Sequence, residues 1–465
     1  MLDTTHTVCA PATSVGTGAV SMVRISGPDT MAVVDRVVAF RSGTAAAAAG
    51  YSVKFGNAAG LDDVLVSIFR APRSYTGEDA AEISCHASPY IVSALLDKLT
   101  EAGCRLAEPG EFTRRAYVNG KMDLAQAEAV ADVIAASSAA QHRVAMNQLR
   151  GGYSAELRGL RGQLLELTSL LELELDFSEE DVEFADRSRL RALLDTACSH
   201  CRQLADSFRL GNAIKNGVPV AIVGAPNSGK STLLNALLRD DRAIVSDIPG
   251  TTRDTVEETC VIGGVLFRFI DTAGIRESPD EIERLGIERT FRKISEAEIV
   301  LGVVDMTDAP EAIEDALRTI AGKVDFRQQK LLILANKSDK IGVNKNVKTI
   351  NSFVNLIDYK QFTILVLEIS AKSGFGLENL RSALVSHAGI ASASGTLVTN
   401  ARHAAALREA ATSLSTVSDG LDRHLPSDLL AEDLRAALAS LGSITGEITT
   451  DEVLGEIFSR FCIGK

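Results

Sequence analysis

Apolar and polar residues alternate differently along three parts of this 465-residue chain. In residues 1–121, short β-branched runs such as VSMVRIS (Val20–Ser26) and DVLVSIF (Asp63–Phe69) precede a helix-like stretch, PYIVSALLDKLTEAG (Pro89–Gly103). Such runs between turn-forming residues predict strands, and a glycine after an amphipathic stretch predicts the end of a helix. We therefore expect a mixed α/β domain over residues 1–121.

From Leu124 the pattern changes to long Ala- and Leu-rich stretches with apolar residues at helical spacing. That spacing is typical of amphipathic helices. The same pattern returns after about His387, in ARHAAALREAATSL and DLLAEDLRAALASL. These stretches predict one helical domain in two parts, residues 122–216 and residues 388–465.

Residues 217–387 alternate short apolar runs with helical stretches. Five runs, VPVAIVG, VLFRFID, AEIVLGVVDM, KLLILAN and TILVLEIS, predict a doubly wound sheet. The polar run TVEETCVIGG enters VLFRFID through Gly263 and Gly264, which predicts a hairpin with one antiparallel edge strand. The expected fold class is therefore multidomain, α+β and α/β, with an α/β domain inserted into a discontinuous helical domain.

The composition of the chain excludes some classes of protein. Hydrophobic residues make up 46% of the chain and charged residues 23%, which is ordinary for a soluble globular protein. There is no apolar run of membrane-spanning length, no signal peptide and no disulfide framework, so we expect a cytoplasmic protein with no membrane partner. The net charge of −13 argues against a surface covered with basic patches, so contact with RNA would need a local patch or a partner.

A phosphate-binding motif opens the inserted domain. GAPNSGKS (residues 224–231) has the pattern GxxxxGK[ST], between a predicted strand and a predicted helix, as the motif requires. Its glycines let backbone N–H groups surround phosphates, and the helix N-terminus adds partial positive charge. Lys230 would reach the β- and γ-phosphates, and Ser231 would bind Mg²⁺.

Three further motifs follow predicted strands. In DTAG (271–274), Asp271 can support the Mg²⁺ shell and the Gly274 amide can meet a γ-phosphate. In NKSD (336–339), Asp339 can accept two hydrogen bonds from guanine, a pair that adenine does not offer. SAK (370–372) fits the loop that closes over the base. Four motifs in this order predict a Ras-like P-loop GTPase domain that binds GTP.

The hydrolytic machinery departs from that of small Ras-like GTPases. These place a glutamine after the DxxG glycine, but this chain has Ile275, which cannot hold the attacking water. The side chain of Asn227 could instead hold a monovalent cation beside the phosphates. Glu283 is a candidate for holding the water, and a solvated helix charge is an equally open interpretation.

These motifs and the loop SDIPGTTRD (246–254) together define the expected nucleotide site. Its GTP-binding residues are Asn227, Ser228, Gly229, Lys230, Ser231, Thr232, Ser246, Asp247, Ile248, Pro249, Gly250, Thr251, Thr252, Asp271, Thr272, Ala273, Gly274, Asn336, Lys337, Ser338, Asp339, Ser370, Ala371 and Lys372. Carbonyls of Ser246 and Ile248, with Thr251, could complete the cage for the cation. Thr252 fits the threonine that binds Mg²⁺.

The chain ends in FCIGK (461–465), for which three interpretations are open. A lipidation box fits poorly, because Gly464 is not aliphatic and a terminal lysine is not usual. A frayed tail is the second interpretation. The third is a reactive end carried to a fixed site by the amphipathic helix ITTDEVLGEIFSRF, whose apolar face is Val453, Leu454, Ile457, Phe458 and Phe461. That helix would start at a capping box of Thr449 and Glu452, and it favours the third interpretation.

The motifs GAPNSGKS, DIPGTTRD, DTAG and NKSD, the insertion into a helical domain and the terminal FCIGK together resemble the MnmE (TrmE) family of tRNA modification GTPases. RISG (24–27), SYTGED (74–79), PGEFTRRAYVNGKMDLAQAEAVADVI (109–134) and SITGEITTDEVLGEIFSRFCIGK (443–465) also match the family's pattern. The resemblance covers nearly the whole chain.

The resemblance implies a homodimer joined through folate-binding N-terminal domains, and GTPase domains that dimerise face to face with GTP and K⁺. It implies an FAD-dependent partner, MnmG (GidA), in a heterotetramer or larger assembly. It also implies that the assembly adds an aminomethyl-type group, carboxymethylaminomethyl or aminomethyl, to carbon 5 of the tRNA wobble uridine. The one-carbon donor would be 5-formyltetrahydrofolate or a related tetrahydrofolate.

Transferred by position, the resemblance also assigns site residues. The folate contacts would be Arg24, Glu82, Lys121 and Lys465. The K⁺ ligands would be Asn227, Ser246, Ile248 and Thr251, the Mg²⁺ ligands Ser231 and Thr252, and the catalytic candidates Glu283, Asn227 and Cys462. The chain departs from the family at His86-Ala87-Ser88, where His-Gly-Gly is frequent, and this puts a tight backbone approach near Glu82 in doubt.

Two other classes of function share the nucleotide motifs. A regulatory GTPase, acting as a switch in ribosome assembly or signalling, predicts no folate binding and an expendable tail. An interaction protein that uses the nucleotide only to stiffen its fold predicts negligible turnover even with K⁺.

Overall fold

The computed structural model describes residues 5–14, 16–176, 187–239, 257–270, 294–340, 344–356, 364–389, 395–459, 461, 462 and 464. The chain forms two compact units. The first unit comprises Met1–Ile134, Asn147–Ser199 and Glu409–Lys465, and the second comprises Ala135–Met146 and His200–Arg408. The domain limits expected from the sequence, after residues 121, 216 and 387, remain predictions.

The helices are numbered in chain order over the described residues. They are α1 (Thr30–Val37), α2 (Pro89–Glu101), α3 (Glu111–Val118), α4 (Leu124–Ala135), α5 (Ala139–Leu149), α6 (Gly152–Asp176), α7 (Arg187–Asn216), α8 (Lys230–Leu238), α9 (Pro310–Ala321), α10 (Asn344–Leu356), α11 (Leu377–His387), α12 (Ala401–Asp422), α13 (Ser427–Thr445) and α14 (Asp451–Ser459). None of these helices has the length and apolar character needed to cross a bilayer.

The first unit contains a seven-stranded sheet in the order β3-β4-β5-β6-β2-β1-β7. Its strands are β1 (Val8–Pro11), β2 (Val20–Ser26), β3 (Val38–Phe40), β4 (Ser52–Ala58), β5 (Asp62–Phe69), β6 (Ala80–His86) and β7 (Arg105–Leu106). Neighbours are antiparallel except for β1 and β7. The two predicted strands are confirmed, since β2 has the expected limits and β5 begins one residue earlier.

One face of this sheet is covered by α1 and α2. Val23, Val66 and Ile83 point into that core, together with Val34 and Leu99 of the two helices, and all five are fully buried. Side chains alternate across a strand, so the next residues along β2, β5 and β6 point to the opposite face. The opposite face therefore carries the polar residues that the sequence assigns to a ligand site.

A buried ion network fixes the segment 74–79 to α3. Arg115 and Glu111 are both fully buried and paired at 2.9 Å (Nη2 to Oε1). Arg115 also pairs with Glu78 at 3.1 Å, and Ser26 donates to Glu78 at 2.7 Å. Burial alone would raise the pKa of Glu111, but the N–H of Glu108 and the guanidinium groups of Arg115 and Arg105 lower it below its usual value. The network therefore keeps Glu111 charged.

The helical part of the first unit is held mainly by apolar faces. Helix α6 packs on α13, and Leu157 and Leu164 of α6 and Leu434 and Leu441 of α13 are all buried. Arg161 adds an ion pair to Glu447 at 2.7 Å. The predicted helical character of this part of the chain is confirmed.

The second unit contains a six-stranded sheet in the order β13-β12-β11-β8-β10-β9. Its strands are β8 (Val218–Val223), β9 (Glu258–Ile262), β10 (Val265–Ile270), β11 (Ile299–Asp305), β12 (Lys330–Asn336) and β13 (Ile364–Glu368). All neighbours are parallel except β9 and β10, which are joined through Gly263 and Gly264. The doubly wound sheet and its antiparallel edge hairpin are therefore confirmed.

Helices cover both faces of this second sheet. Leu237 of α8 and Leu380 of α11 are buried on one face, and Leu317 of α9 and Ile350 of α10 are buried on the other. Strands buried on both faces explain the continuous apolar runs in the sequence. Because the strands are parallel, the loops after β8, β11, β12 and β13 gather at one edge, which is where ligands bind in such sheets.

Candidate functional site

The phosphate loop lies between β8 and α8, and two of its glycines stand where there is no room for a side chain. A Cβ on Gly224 would stand 2.2 Å from the carbonyl oxygen of Val303, and one on Gly229 would stand 2.2 Å from Nδ2 of Asn336. Asn227 has a φ of 60°, an uncommon backbone conformation for a residue other than glycine. The loop is therefore curled tightly at the N-terminus of α8, as a phosphate cradle must be.

Lys230 lies over this loop. Its Nζ donates to the carbonyl oxygens of Gly224 at 2.9 Å and Ala225 at 2.8 Å. Burial lowers the pKa of Lys230. Ser231 follows it in the first turn of α8 and is exposed, as is Asn227. These residues are suited to a phosphate with a bound Mg²⁺, because the ammonium of Lys230 and the hydroxyl of Ser231 lie next to each other at the N-terminus of α8.

Asn336 joins three of the predicted motifs. Its side chain is buried, its Nδ2 donates to the carbonyl of Ser228 at 2.8 Å, and its Oδ1 accepts from the N–H of Ala371 at 3.0 Å. The phosphate loop, NKSD and SAK segments are thus tied by one amide. The sequence identified the three motifs, but nothing in their spacing showed that Asn336 connects them.

The end of this site that the sequence assigns to the base is exposed to solvent. Asp339 and Lys372 are exposed. Ser338, the neighbour of Asp339 in the chain, is fixed, since its N–H and its hydroxyl both donate to the carbonyl of Ile369, at 3.1 Å and 2.9 Å. The backbone N–H of Ser370 donates to the carbonyl of Phe375 at 2.9 Å, and this hydrogen bond closes the SAK turn. An exposed carboxylate on a fixed turn is suited to a hydrogen-bonding base.

Several predicted site residues lie outside the described part of the chain. They are Ser246, Asp247, Ile248, Pro249, Gly250, Thr251, Thr252, Asp271, Thr272, Ala273, Gly274, Glu283 and Lys465. Among the expected K⁺ ligands, Asn227 lies in the described part of the chain. Among the expected Mg²⁺ ligands, Ser231 does.

A second polar cluster lies on the open face of the N-terminal sheet. Arg24 and Glu82 are directly opposite each other on β2 and β6. Nε and Nη2 of Arg24 donate to Oε1 of Glu82 at 3.0 Å and 2.8 Å. The guanidinium also lies 5.4 Å from the ring centre of Tyr75 and 5.7 Å from that of Phe112. Sequence reasoning missed these two rings, although both lie in the quoted SYTGED and PGEF segments.

The end of the chain meets this cluster. Nη1 of Arg24 donates to the carbonyl oxygen of Gly464 at 3.2 Å. Gly464 has a φ of 97°, and a Cβ there would stand 2.1 Å from the carbonyl oxygen of Pro11. The carbonyl of Cys462 accepts from the N–H of Gly110 at 3.4 Å, and the thiol-bearing residue itself is exposed. The tail is therefore docked rather than frayed, which agrees with the third interpretation of FCIGK.

Helix α14 carries the tail to this position. Phe458 and Phe461 are buried against Leu124, Ala127 and Val130, with Leu454 and Ile457 packed beside them. Four of the five predicted apolar positions are therefore confirmed, and Val453 is half-buried outside the cluster.

The predicted start of this helix was wrong by one residue. The helix begins at Asp451, and the N–H of Val453 donates to the hydroxyl of Thr450 at 3.4 Å. Thr450 therefore caps the helix in place of Thr449, because only its hydroxyl meets a free amide of the first turn.

Lys121 is a predicted folate residue, and His86-Ala87-Ser88 is the predicted departure from the family pattern near Glu82. Nζ of Lys121 donates to the carbonyl of Pro72 at 3.0 Å, and its stem packs against Gly77, in the same loop that carries Tyr75. Ala87 is buried and does not have a positive φ. The backbone there is one that alanine adopts without strain, so the departure from glycine does not disturb β6 or Glu82.

The inserted domain, with its phosphate loop tied by Asn336 to the NKSD and SAK segments, defines a P-loop GTPase. A family model described as "GTP-binding protein TrmE N-terminus" matches residues 7–121, and one described as "MnmE helical domain" matches residues 124–462. The chain belongs to the MnmE (TrmE) family.

Curated relatives support this assignment over the full length. The chain is 50% identical to a protein of Bacteroides thetaiotaomicron and 48% identical to one of Christiangramia forsetii, in each case over 99% of both chains. Both relatives are named tRNA modification GTPase MnmE. Among solved structures, Era in complex with MgGDPNP and a segment of 16S ribosomal RNA is 27% identical over 42% of this chain and 66% of its own. Its TM-score of 0.29 is too low to support a fold assignment.

The docked tail can be tested at Gly464. Alanine at this position would meet the carbonyl of Pro11 and would occupy a left-handed conformation, so Gly464→Ala should release the tail. The strain of roughly 1–2 kcal/mol predicts that a carboxypeptidase removes the terminal residues about tenfold faster or more, as followed by mass spectrometry.

The matched control is Gly455→Ala, on an exposed turn of α14 where a Cβ meets nothing within 4 Å. This variant should be digested like the wild type. Equal digestion rates for all three proteins would contradict the docked tail.

Proposed function

We propose that this chain is a K⁺-dependent GTPase that acts with an FAD-dependent partner of the MnmG (GidA) type to modify tRNA. The assembly would install an aminomethyl-type group at carbon 5 of the wobble uridine, with 5-formyltetrahydrofolate or a related tetrahydrofolate as one-carbon donor, in the cytoplasm. The observation that carries this proposal is the hydrogen bond from Arg24 to Gly464, which holds the end of a GTPase chain at a polar cluster of its N-terminal domain.

The chemistry of that cluster suits a folate. A pterin ring offers N–H donors and a carbonyl acceptor, and its glutamate tail offers carboxylates. Oε1 of Glu82 takes both bonds from Arg24, and Oε2 has no hydrogen-bond partner among the described residues, so it can accept from a pterin. The guanidinium of Arg24 can donate to a carbonyl or carboxylate. The aromatic rings of Tyr75 and Phe112 provide an apolar wall beside these polar groups.

The expected homodimer is supported by the same sheet face. Val53, Ser67, Glu82 and Arg24 stand in one row across β4, β5, β6 and β2. The half of this face on β4 and β5 carries three exposed apolar side chains: Val53 is 62% exposed, Leu65 50% and Phe55 37%. Contiguous exposed apolar residues mark interaction surfaces. We infer that a second copy of the chain covers this face beside the folate site.

The GTPase half of the proposal rests on the phosphate loop. GTP would be hydrolysed to GDP and phosphate, with Mg²⁺ held by Ser231 and Thr252. K⁺ would be held by Asn227, with Ser246, Ile248 and Thr251, and Glu283 would assist the water. Asn227 is exposed on the left-handed turn of the loop, so its side-chain oxygen is free to face a cation beside the phosphates. Cys462 would act at the modification site, next to the docked Gly464.

A prediction for the cation follows from Asn227. We expect GTP hydrolysis by the full chain to be at least about tenfold faster in K⁺ than in Na⁺, because the cation would supply the positive charge that an arginine finger supplies elsewhere. Asn227→Ala should remove the difference between the salts, as measured by phosphate release.

The control for this experiment is Asn235→Ala, the same substitution on the exposed side of α8. It should keep the K⁺ stimulation. Equal rates in the two salts for the wild-type chain would contradict the cation cage.

Titration of 5-formyltetrahydrofolate into the full chain tests the proposed function against a regulatory switch. We expect binding, and we expect Arg24→Ala to weaken it about ten- to a hundredfold, because the substitution removes a charged donor and the ring contacts. Arg36→Ala is the control, since Arg36 lies on α1, on the covered face of the sheet. A wild-type chain that hydrolyses GTP but binds no folate would leave the regulatory switch as the better explanation.

A further inference from the structure

Asp305 is a buried acid at the edge of the nucleotide site that belongs to none of the four nucleotide motifs. It is the last residue of β11 and lies directly opposite Asn336, the last residue of β12. Its side chain is 8% exposed. A carboxylate at such a depth is rare unless it is paired, so its partners indicate what it does.

Those partners fix both oxygens of the carboxylate. Oδ1 accepts from the N–H of Thr307 at 2.9 Å and from its hydroxyl at 2.7 Å. Oδ2 forms an ion pair with Nζ of Lys337. Burial alone would raise the pKa of Asp305, but the Lys337 ammonium and the two Thr307 donors outweigh it and lower the pKa. Asp305 is therefore a fixed negative charge beside NKSD.

The loop that carries Asp305 is itself held in place. The N–H of Met306 donates to the carbonyl of Asn336 at 3.0 Å. The buried side chain of Asn346 donates to the carbonyls of Met306 at 2.9 Å and Asp308 at 3.0 Å. A rigidly held acid of this kind can position a flexible partner side chain. Only the partner loses conformational freedom when the two pair, because the acid is already fixed.

Lys337 is such a partner. Its backbone has a φ of 63°, which is uncommon for a residue with a side chain. It stands between Asn336, which bonds the phosphate loop, and the exposed Asp339, which the sequence assigns to the guanine edge. The ion pair with Asp305 holds the ammonium end of its four-methylene stem, and the backbone directly after β12 holds the other end. An aliphatic stem fixed in this way can cover the face of a planar base.

We infer that Asp305 is a positioning residue for the guanine nucleotide: it anchors Lys337 so that the lysine stem forms one wall of the base pocket. The inference rests on guanine binding by NKSD. The two can be tested separately, because titration of the wild-type chain measures guanine binding without any change at Asp305. A purely structural pair between β11 and β12 would instead contribute to stability and leave nucleotide affinity unchanged.

The test compares GDP with IDP, which lacks the exocyclic amine of guanine, by calorimetric titration of the full chain. Asp305→Asn should weaken both nucleotides by the same factor, about tenfold, because the wall meets the face of the base and not its edge. The maximal rate of GTP hydrolysis at saturation should change less than about twofold, since the phosphates are held elsewhere. Asp339→Asn should instead change the ratio of GDP to IDP affinity.

A double-mutant cycle isolates the pair. Lys337→Met should weaken GDP and IDP as Asp305→Asn does, and the double variant should be no weaker than the weaker single variant, because both act through one contact. Asp308→Asn, on the same loop with an exposed side chain, is the matched control and should bind as the wild type does.

Three results would overturn the inference: unchanged GDP affinity in Asp305→Asn, unequal factors for GDP and IDP, or effects that multiply in the double variant. Thermal unfolding without nucleotide reports whether each variant is folded. If Asp305→Asn does not fold, Lys337→Met decides alone, since it leaves the acid and its loop in place. Unchanged GDP and IDP affinities in Lys337→Met would then overturn the inference.

Discussion

Arg24 holds a neighbouring strand and the end of the chain with one guanidinium group. Two of its nitrogens bond Glu82, a third bonds Gly464, and its plane lies near two aromatic rings. Chain ends are normally mobile, and ordering one costs conformational entropy. That cost is offset here by the burial of Phe458 and Phe461 one turn earlier and by a glycine that fits against Pro11. The position of Cys462 in the proposed reaction depends on this one arrangement.

The nucleotide domain uses the same principle of one polar side chain that serves several segments. Asn336 ties the phosphate loop to the loop after β13, and Asp305 ties the neighbouring strand end to Lys337. In both cases a buried polar group has its hydrogen bonds satisfied by segments that must be held in register for a ligand. Such networks are rigid only when every member is satisfied. In this way the phosphate loop, NKSD and SAK segments are held together although Asp339 and Lys372 are exposed.

The sequence predicted best what is encoded locally. The alternation of apolar residues located β2 and the hairpin of β9 and β10, and helical spacing located the buried face of α14. The cap of α14 was misplaced because two adjacent threonines are chemically equivalent and helix ends are the least certain part of such predictions. Contacts between distant residues could not be predicted: Arg24 and Gly464 are 440 residues apart, and Asp305 and Lys337 are 32 apart. The roles of residues 246–252, 271–274 and 283 remain predictions from the motifs and the resemblance.

The central claim is that the docked tail is part of the modification site of a tRNA-modifying GTPase. The most direct measurement is the wobble-nucleoside profile, by liquid chromatography and mass spectrometry, of tRNA from cells that lack the chromosomal copy. The cells are supplied either with the wild-type chain or with a chain that lacks residues 462–465. We expect the wild type to restore the modification at carbon 5 and the shortened chain to fail, while both hydrolyse GTP equally fast in K⁺. Full restoration by the shortened chain would contradict the claim.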